Sequence, residues 1–540
     1  MSESASTSVA GSTRSVFTRT ASGLVREMSL WDAALYGIFA TGGVYAFVYL
    51  FPFPQALSPG VNVPLLIVLT LALGLLVYFA YAALGSAMPR AGGDYVYETR
   101  TIHRAIGFNF AWACQLVFWL TFPATGAYVV TTLGVVPILN AGGWHDAASW
   151  LLTPTGGFVM AVVVIVLCWL LNVMGMRVYR RVQGYVLIPL LVIGTATIII
   201  VLLANLNANF ADAFDTYPGG GGITVSAVHA AAAEAGFTQP EFSWFNTLIW
   251  VGVLGGIIPY TMFAAQGLLG EVKDASNLRR LFLAFLLPGV VVALVVLLLP
   301  WLLLEHIAGT AFLNEFATAY VNGAIAPPYA PNINIFAEML APGAAVVVLI
   351  SLGFISGGFG IANVVFMNAS RIMMAMSLDG LLPPVLSDVS KRFFTPIKSI
   401  TFWSIAAVGF AAWLNYQPDV VLSVLSAGVV TAVLIMGVTC LGAALFAYSA
   451  RDIYASAPAG RLRFAGIPLT TLLGAVAAVC IAFLCYWALT EPAIGLTTRT
   501  ARIALAVAFA SGVLLYIGFG FYRRAQGIDV SLRTREVPPE

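Results

Sequence analysis

Apolar residues run along this chain in long stretches separated by short polar segments, over nearly its whole length. A helix needs about 20 apolar residues to cross the ~30 Å hydrocarbon core of a bilayer. The pattern predicts about twelve such spans. They fall near Leu30–Pro52, Val63–Ala87, Ala105–Gly134, Gly156–Gly175, Gln183–Asn205, Trp244–Gly270, Leu281–Leu304, Ala341–Ala369, Ser399–Tyr416, Asp419–Phe446, Ala465–Leu489 and Ile503–Tyr522. The Ser- and Thr-rich stretch Met1–Arg26 has arginines but no apolar core, so it reads as a disordered tail and not as a signal peptide. Arg523–Glu540 reads as a second polar tail.

Composition agrees with this all-α integral membrane class. Sixty per cent of residues are hydrophobic and 9% charged, against roughly 25% charged in soluble domains. The net charge is +2 and no basic tract occurs, so nucleic acid is not an expected partner. Cys114, Cys168, Cys440, Cys480 and Cys485 all lie in apolar stretches without a CxxC pair, and the four histidines form no HExxH arrangement. No G-x-x-x-x-G-K-[ST] is present. Neither an enzyme, a metal site nor a cofactor is expected.

The basic residues test the span count, because cytosolic loops accumulate Lys and Arg. With the first tail inside and the side alternating at each span, 23 of the 25 Lys and Arg fall inside. Only Arg499 and Arg502 fall outside. A multi-pass protein of the cell membrane with both termini cytoplasmic is therefore expected. The outside segments Leu206–Ser243 and Glu305–Leu340 contain no Lys or Arg, and their Gly219–Gly222 and Pro327, Pro328 and Pro331 predict irregular caps.

Two spans carry breakers at their centres: Thr41, Gly42 and Gly43 in the first, and Gly255, Gly256, Pro259, Tyr260 and Thr261 in the sixth. Glycine lowers helix propensity and proline removes an amide donor. A helix can unwind inside a bilayer only where it is walled by protein or lines a cavity. The freed amides and carbonyls could hold a zwitterion or an ion. First and sixth are corresponding places in two five-helix halves, the second inverted, as in inverted-repeat transporters. Pro123, Pro189 and Pro288 predict kinks. Ser356, Gly357, Gly358 and Gly360 in the eighth span predict close helix approach.

Three loops carry a family resemblance. Met88-Pro89-Arg90-Ala91-Gly92-Gly93-Asp94-Tyr95-Val96-Tyr97 follows the second span, Gly270-Glu271-Val272-Lys273-Asp274 the sixth, and Ser370-Arg371-Ile372-Met373-Met374-Ala375-Met376-Ser377-Leu378-Asp379-Gly380-Leu381-Leu382-Pro383 the eighth. In that order they resemble the loops of amino acid permeases of the amino acid–polyamine–organocation superfamily. Leu378 stands where the family has a basic residue, and Ala275 where it has proline.

The resemblance implies a LeuT-type fold with broken helices 1 and 6. Residues 27–447 would form the ten-helix core, with 27–205 and 244–447 as inverted repeats and 206–243 as an extracellular loop. Residues 448–522 would form helices 11 and 12, between tails 1–26 and 523–540. It implies a secondary transporter, symporter or antiporter, working by alternating access on neutral amino acids. The alternatives are a permease for amines or organic acids, or a non-transporting sensor on the same fold. Substrate groups would be Thr41, Gly42, Gly43, Pro259, Tyr260 and Thr261, walled by Trp119, Phe122 and Phe263. Coupling to sodium or to protons stays open; Ala40, Ser351 and Ser356 are the sodium candidates. Arg90, Asp94, Glu98, Glu271, Lys273, Arg371 and Asp379 would form an inner gate. No acidic residue is evident deep in a span, which argues against a strongly cationic solute.

Overall fold

The computed structural model of the 540-residue chain describes residues 23–41, 50–255, 258–328, 331–491, 498–528 and 530. In chain order its main helices are α1 (Leu30–Ala40), α2 (Val63–Ala87), α3 (Gly93–Thr101), α4 (Arg104–Ala141), α5 (Pro154–Val173), α6 (Met176–Ala204), α7 (Trp244–Gly255) and α8 (Tyr260–Gln266). Then come α9 (Leu278–Ala308), α10 (Ile333–Leu340), α11 (Ala344–Leu378), α12 (Ile397–Tyr416), α13 (Pro418–Ser449), α14 (Leu469–Thr490) and α15 (Arg499–Ala525). Among the described residues, ten helices are long and apolar enough to cross a bilayer. The shorter apolar α1 and α7 stand at the first and sixth predicted spans. The only strands among the described residues form a two-residue hairpin, Arg463–Phe464 with Ile467–Pro468. The protein is an all-α membrane protein.

Local chemistry sets the helix ends. Ser29 and Asp32 form a reciprocal capping box at the start of α1 (Ser29 N–H to Asp32 Oδ2, 2.8 Å; Asp32 N–H to Ser29 Oγ, 3.1 Å). Helix α6 begins at Met176 and not at Gln183, and α15 at Arg499 and not at Ile503. Their first turns carry Arg177, Arg180 and Arg181, and Arg499 and Arg502, which hydropathy counts as loop although the backbone is already helical.

Prolines leave a second mark. Wider π-type turns occur at Gln115–Trp119, Val130–Val135, Gln183–Leu187 and Val291–Leu298. Each runs up to a proline two to four residues on: Pro123, Pro137, Pro189 and Pro300. A proline cannot donate to the carbonyl four residues back and its ring crowds that oxygen. Widening the turn ahead of it lets neighbouring peptides stay bonded within the span.

The centre of the bundle is α11, reached closely through glycines. A Cβ on Gly126 of α4 would lie 2.5 Å from the Gly358 carbonyl oxygen, and one on Gly194 of α6 would lie 2.5 Å from the Gly353 Cα. Gly360 lies against the Phe39 ring of α1, 2.2 Å from where its own Cβ would be. With lipid as apolar as the side chains, such contacts and not the hydrophobic effect hold spans together.

The segments expected as irregular caps in fact contain four helices. Phe210–Asp215 and Val225–Glu234 are capped by the Asn209 and Thr224 side chains, and Thr310–Val321 and α10 follow α9. The glycines and prolines that suggested irregular chain occupy only the joints between these helices.

Gly126→Val should force α4 off the Gly358 carbonyl. We expect a fall in melting temperature of the purified protein consistent with an overpacking cost of about 1–3 kcal/mol. An unchanged melting temperature would mean that this crossing carries no close contact.

Candidate functional site

The sixth span is interrupted. Helix α7 ends at Gly255, and α8 restarts at Tyr260 with Pro259 before it. Gly42, Gly43 and Gly256 lie outside the described residues; α1 is described to its C-cap, Thr41. The interruption is held from α2: the Tyr78 hydroxyl donates to the Ile258 carbonyl at 2.6 Å and lies 3.0 Å from the Thr261 hydroxyl. Thr261 also bonds back to the Ile258 carbonyl. From the other side, Gly37 brings α1 so close that a Cβ there would stand 2.3 Å from the Thr261 carbonyl oxygen.

An aromatic layer covers this place. Tyr260 stacks on Phe118 and Phe263 stacks on Trp119, each pair with centroids 5.0 Å apart, and Phe122 lies 4.4 Å from Phe118. Of the predicted residues, Tyr260, Trp119, Phe122 and Phe263 therefore share one cluster, with Thr261 beneath it. Phe118, at its centre, is not among the sequence expectations, because nothing in its sequence context separates it from its aromatic neighbours.

The face that collects the basic loops, here the basic face, carries the predicted gate. Arg371 is fully buried and pairs with Glu271 (Nε to Oε1, 2.8 Å). Asp379 pairs with buried Arg100 at 2.9 Å and accepts from Tyr95 at 2.8 Å. In the sequence Arg100 is only one of the 23 basic residues of the inside segments. Lys273 differs from the gate expectation: its side chain is exposed, and only its backbone takes part, donating to the Met28 carbonyl at 2.8 Å. Met28 in turn donates to the Glu271 carbonyl, which ties the start of α1 to the motif after α8. Arg180 adds an ion pair to Asp32 at 2.8 Å. The Arg90 guanidinium donates to the Pro89 carbonyl at 3.1 Å.

Asp94 and Glu98 are not loop charges but buried residues of α3, 1% and 0% exposed. Asp94 accepts from Tyr81, from Gln266 of α8 at 2.7 Å and from Thr439 of α13 at 2.9 Å. The same Thr439 hydroxyl lies 3.0 Å from Glu98 Oε1. One hydroxyl carries one proton, so either the two carboxylates share it or one carboxyl is protonated and donates to the Thr439 oxygen. Burial pushes the Asp94 carboxyl up to about 6, against the lowering effect of its hydrogen bonds. Burial, then the neighbouring Asp94 charge, raises Glu98 well above the ordinary range. Among the described residues neither has an ion-pair partner.

The sodium candidates are arranged differently. Helix α1 meets α11 through Tyr36, whose hydroxyl donates to the Val364 carbonyl at 3.1 Å, and through Phe39 at Gly360. The Ser356 hydroxyl donates to the Leu187 carbonyl of α6 at 2.6 Å. Ser351 is buried and, among the described residues, without a hydrogen-bond partner, roughly 13 Å along the helix axis from Gly360 at ~1.5 Å per residue. Ala40 is half-buried.

The amino acid permease family matches residues 28–516. No curated protein matches the chain.

Tyr78→Phe removes one of the donors to the Ile258 carbonyl, leaving those of Thr261, and should cost about 0.5–1.5 kcal/mol, read as a lower melting temperature with insertion unchanged. Arg371→Met strands the Glu271 charge and should cost about 3–5 kcal/mol. The double variant Arg371→Met with Glu271→Gln should recover part of that loss, and additive losses would mean the pair is not coupled.

Proposed function

The chain belongs to the amino acid permease family, and from that premise we propose that it is a secondary active transporter moving neutral amino acids across the cytoplasmic membrane by alternating access. Membership makes it a multi-pass membrane transporter of amino acids or related organic cations, and not an enzyme. The observation that carries the finer reading is the interruption of the sixth span at Gly255–Tyr260, braced by Tyr78 and facing α1.

On this reading residues 27–205 and 244–447 are inverted repeats of a LeuT-type core, and the basic face, with both termini, is cytoplasmic. Backbone groups around Thr41, Gly42 and Gly43, and around Pro259, Tyr260 and Thr261, take the solute's carboxylate and ammonium. The Trp119 and Phe263 rings move apart to admit its side chain. Opening toward the cytoplasm separates Glu271 from Arg371 and Arg100 from Asp379. Those pairs lose each other but gain water, so the closed and open states can lie close in energy.

Protons are the coupling ion this reading favours over sodium. The Ser356 hydroxyl is committed to Leu187, whereas Asp94 and Glu98 hold a protonatable pair between α3, α8 and α13. Opening the basic face wets that pair and releases its proton.

Uptake of labelled amino acid by the protein in liposomes tests the transporter reading. Gly42→Leu and Thr261→Leu should abolish it while the protein still inserts, and normal uptake by both would misplace the site. For coupling, the folded Asp94 value of about 6 exceeds the unfolded value of ~3.9. Its share of stability is then full below about 4 and lost as pH rises through about 6. The melting temperature should fall over that window, and Asp94→Asn should flatten the slope. An acid-inside pH gradient that drives uptake as well as an acid-outside one would sink proton coupling.

A further inference from the structure

Opposite the basic face, where the loop helices lie, a cavity of about 1700 Å³ rests on Phe122, Gly252 and Val253. Phe122 belongs to the aromatic layer, and Gly252 and Val253 to α7 just before the interruption. Among the described residues that line it there is no Lys or Arg and one carboxyl, Glu338. Glu338 and Asn334 stand one turn apart on α10, so both point the same way. They are 3% and 2% exposed.

Glu338 accepts from the Asn334 amide nitrogen at 3.4 Å and from the Tyr217 hydroxyl. That leaves the Asn334 Oδ1 buried and, among the described residues, without a hydrogen-bond partner. No ion pair reaches Glu338 among the described residues. A buried carboxylate without a cation and a buried amide oxygen without a donor are both costly. A group that brings positive charge and several N–H donors removes both costs at once.

We propose that Glu338 and Asn334 form a capture subsite for a primary ammonium group, through which the solute is held in the outer cavity before it reaches the interrupted span. The proposal rests on the transporter reading for its role and not for its existence. The surrounding field favours it. The segments 206–243 and 305–340 contain Asp212, Asp215, Glu234, Glu241, Glu305, Glu315 and Glu338 and no Lys or Arg, which raises the local concentration of cations. An inorganic cation shares part of this chemistry, but the amide oxygen, the carboxylate and the lone N–H contact suit a directional donor better than an oxygen cage.

Binding should depend on pH. Burial raises the Glu338 carboxyl to about 7, opposed by its hydrogen bonds from Asn334 and Tyr217. Of the elements packed on α10, Phe210–Asp215 carries Asp212 and Asp215, both exposed, and α9 carries Glu305 and His306. Helix α6 meets it through its uncharged far end, as does the start of α11. Tyr217 and, at the cavity wall, His145 complete the titratable groups nearest to it, with Tyr320 and Tyr128 beyond. The carboxylate form that takes an ammonium is lost as pH falls through about 7.

The test uses the purified full-length protein with n-butylammonium as probe, read by calorimetry above and below about pH 7, with sodium chloride and N-acetyl-leucine in parallel. We expect butylammonium binding that weakens on acidification and drops at least tenfold in Glu338→Gln, with no binding of N-acetyl-leucine there. Asn334→Leu should weaken it severalfold with the pH dependence kept. In liposomes Glu338→Gln should raise the KM for amino acid uptake severalfold and leave the maximal rate near wild type. Butylammonium binding unchanged in both variants overturns the proposal. So does sodium binding that Glu338→Gln removes while butylammonium binds nowhere. If Glu338→Gln does not fold, unchanged binding by Asn334→Leu is decisive against it. Butylammonium binding without any amino acid uptake would keep this subsite and remove the transporter reading instead.

Discussion

A peptide group that leaves a helix inside a bilayer has no water to bond, and this constraint organises the middle of the protein. The Ile258 carbonyl is the clearest case. It receives the Tyr78 hydroxyl from α2 and the Thr261 hydroxyl from its own segment. Tyr78 is therefore not an incidental aromatic in an apolar span but the donor that permits a gap in the sixth. Gly37 answers the same constraint sterically. Only a residue without a Cβ lets α1 come down on the Thr261 backbone. The two short helices thus depend on two residues that lie in neither break.

What holds the ends of those helices lies on the basic face. The three loop motifs are far apart in the chain yet form one cluster. Gly92 bonds to the Gly267 carbonyl, and Gly93, at φ +47°, leaves room for Gln266, whose amide then reaches Asp94. Glu271 serves twice, its carbonyl accepting from Met28 and its side chain holding Arg371. A buried Arg–Glu pair gives little net stability, since desolvation offsets attraction. It does penalise arrangements in which only one partner is buried. Such a pair suits an assembly with two arrangements, both charges dry or both wet, better than one with a continuous range.

The sequence disclosed some of this and hid the rest for identifiable reasons. The spans were legible because lipid demands long apolar runs, and the sixth-span break because Gly255 and Pro259 are local signals. The capping box at Ser29 and Asp32 is equally local. Burial of charge is not. Arg100, Glu98 and Arg371 look like the solvated ends of loops until α3, α11 and α13 are assembled around them. Thr439 has no signal at all: a threonine within an apolar span becomes notable only because Asp94 and Glu98 arrive beside it. The loop helices misled for a related reason. Gly219–Gly222 and the prolines near 328 mark joints correctly, but the short capped helices between them lack the length that makes helices obvious.

The placement of carboxyls along the path bears on which solutes fit. Glu338 stands at one end and Asp94 with Glu98 at the other, while the aromatic layer and the interrupted span between them carry no formal charge among the described residues. Peptide dipoles can stabilise both ends of a zwitterion at once, since carbonyls and amides are freed together at a break. They cannot balance a net positive charge with equal effect, and a cation leaving Glu338 would meet no counter-charge before the far face. On the proposed reading, an ammonium captured at the mouth passes the centre at least cost when its own carboxylate accompanies it. This makes the uncharged midplane, more than the acidic mouth, the element that would select amino acids over amines.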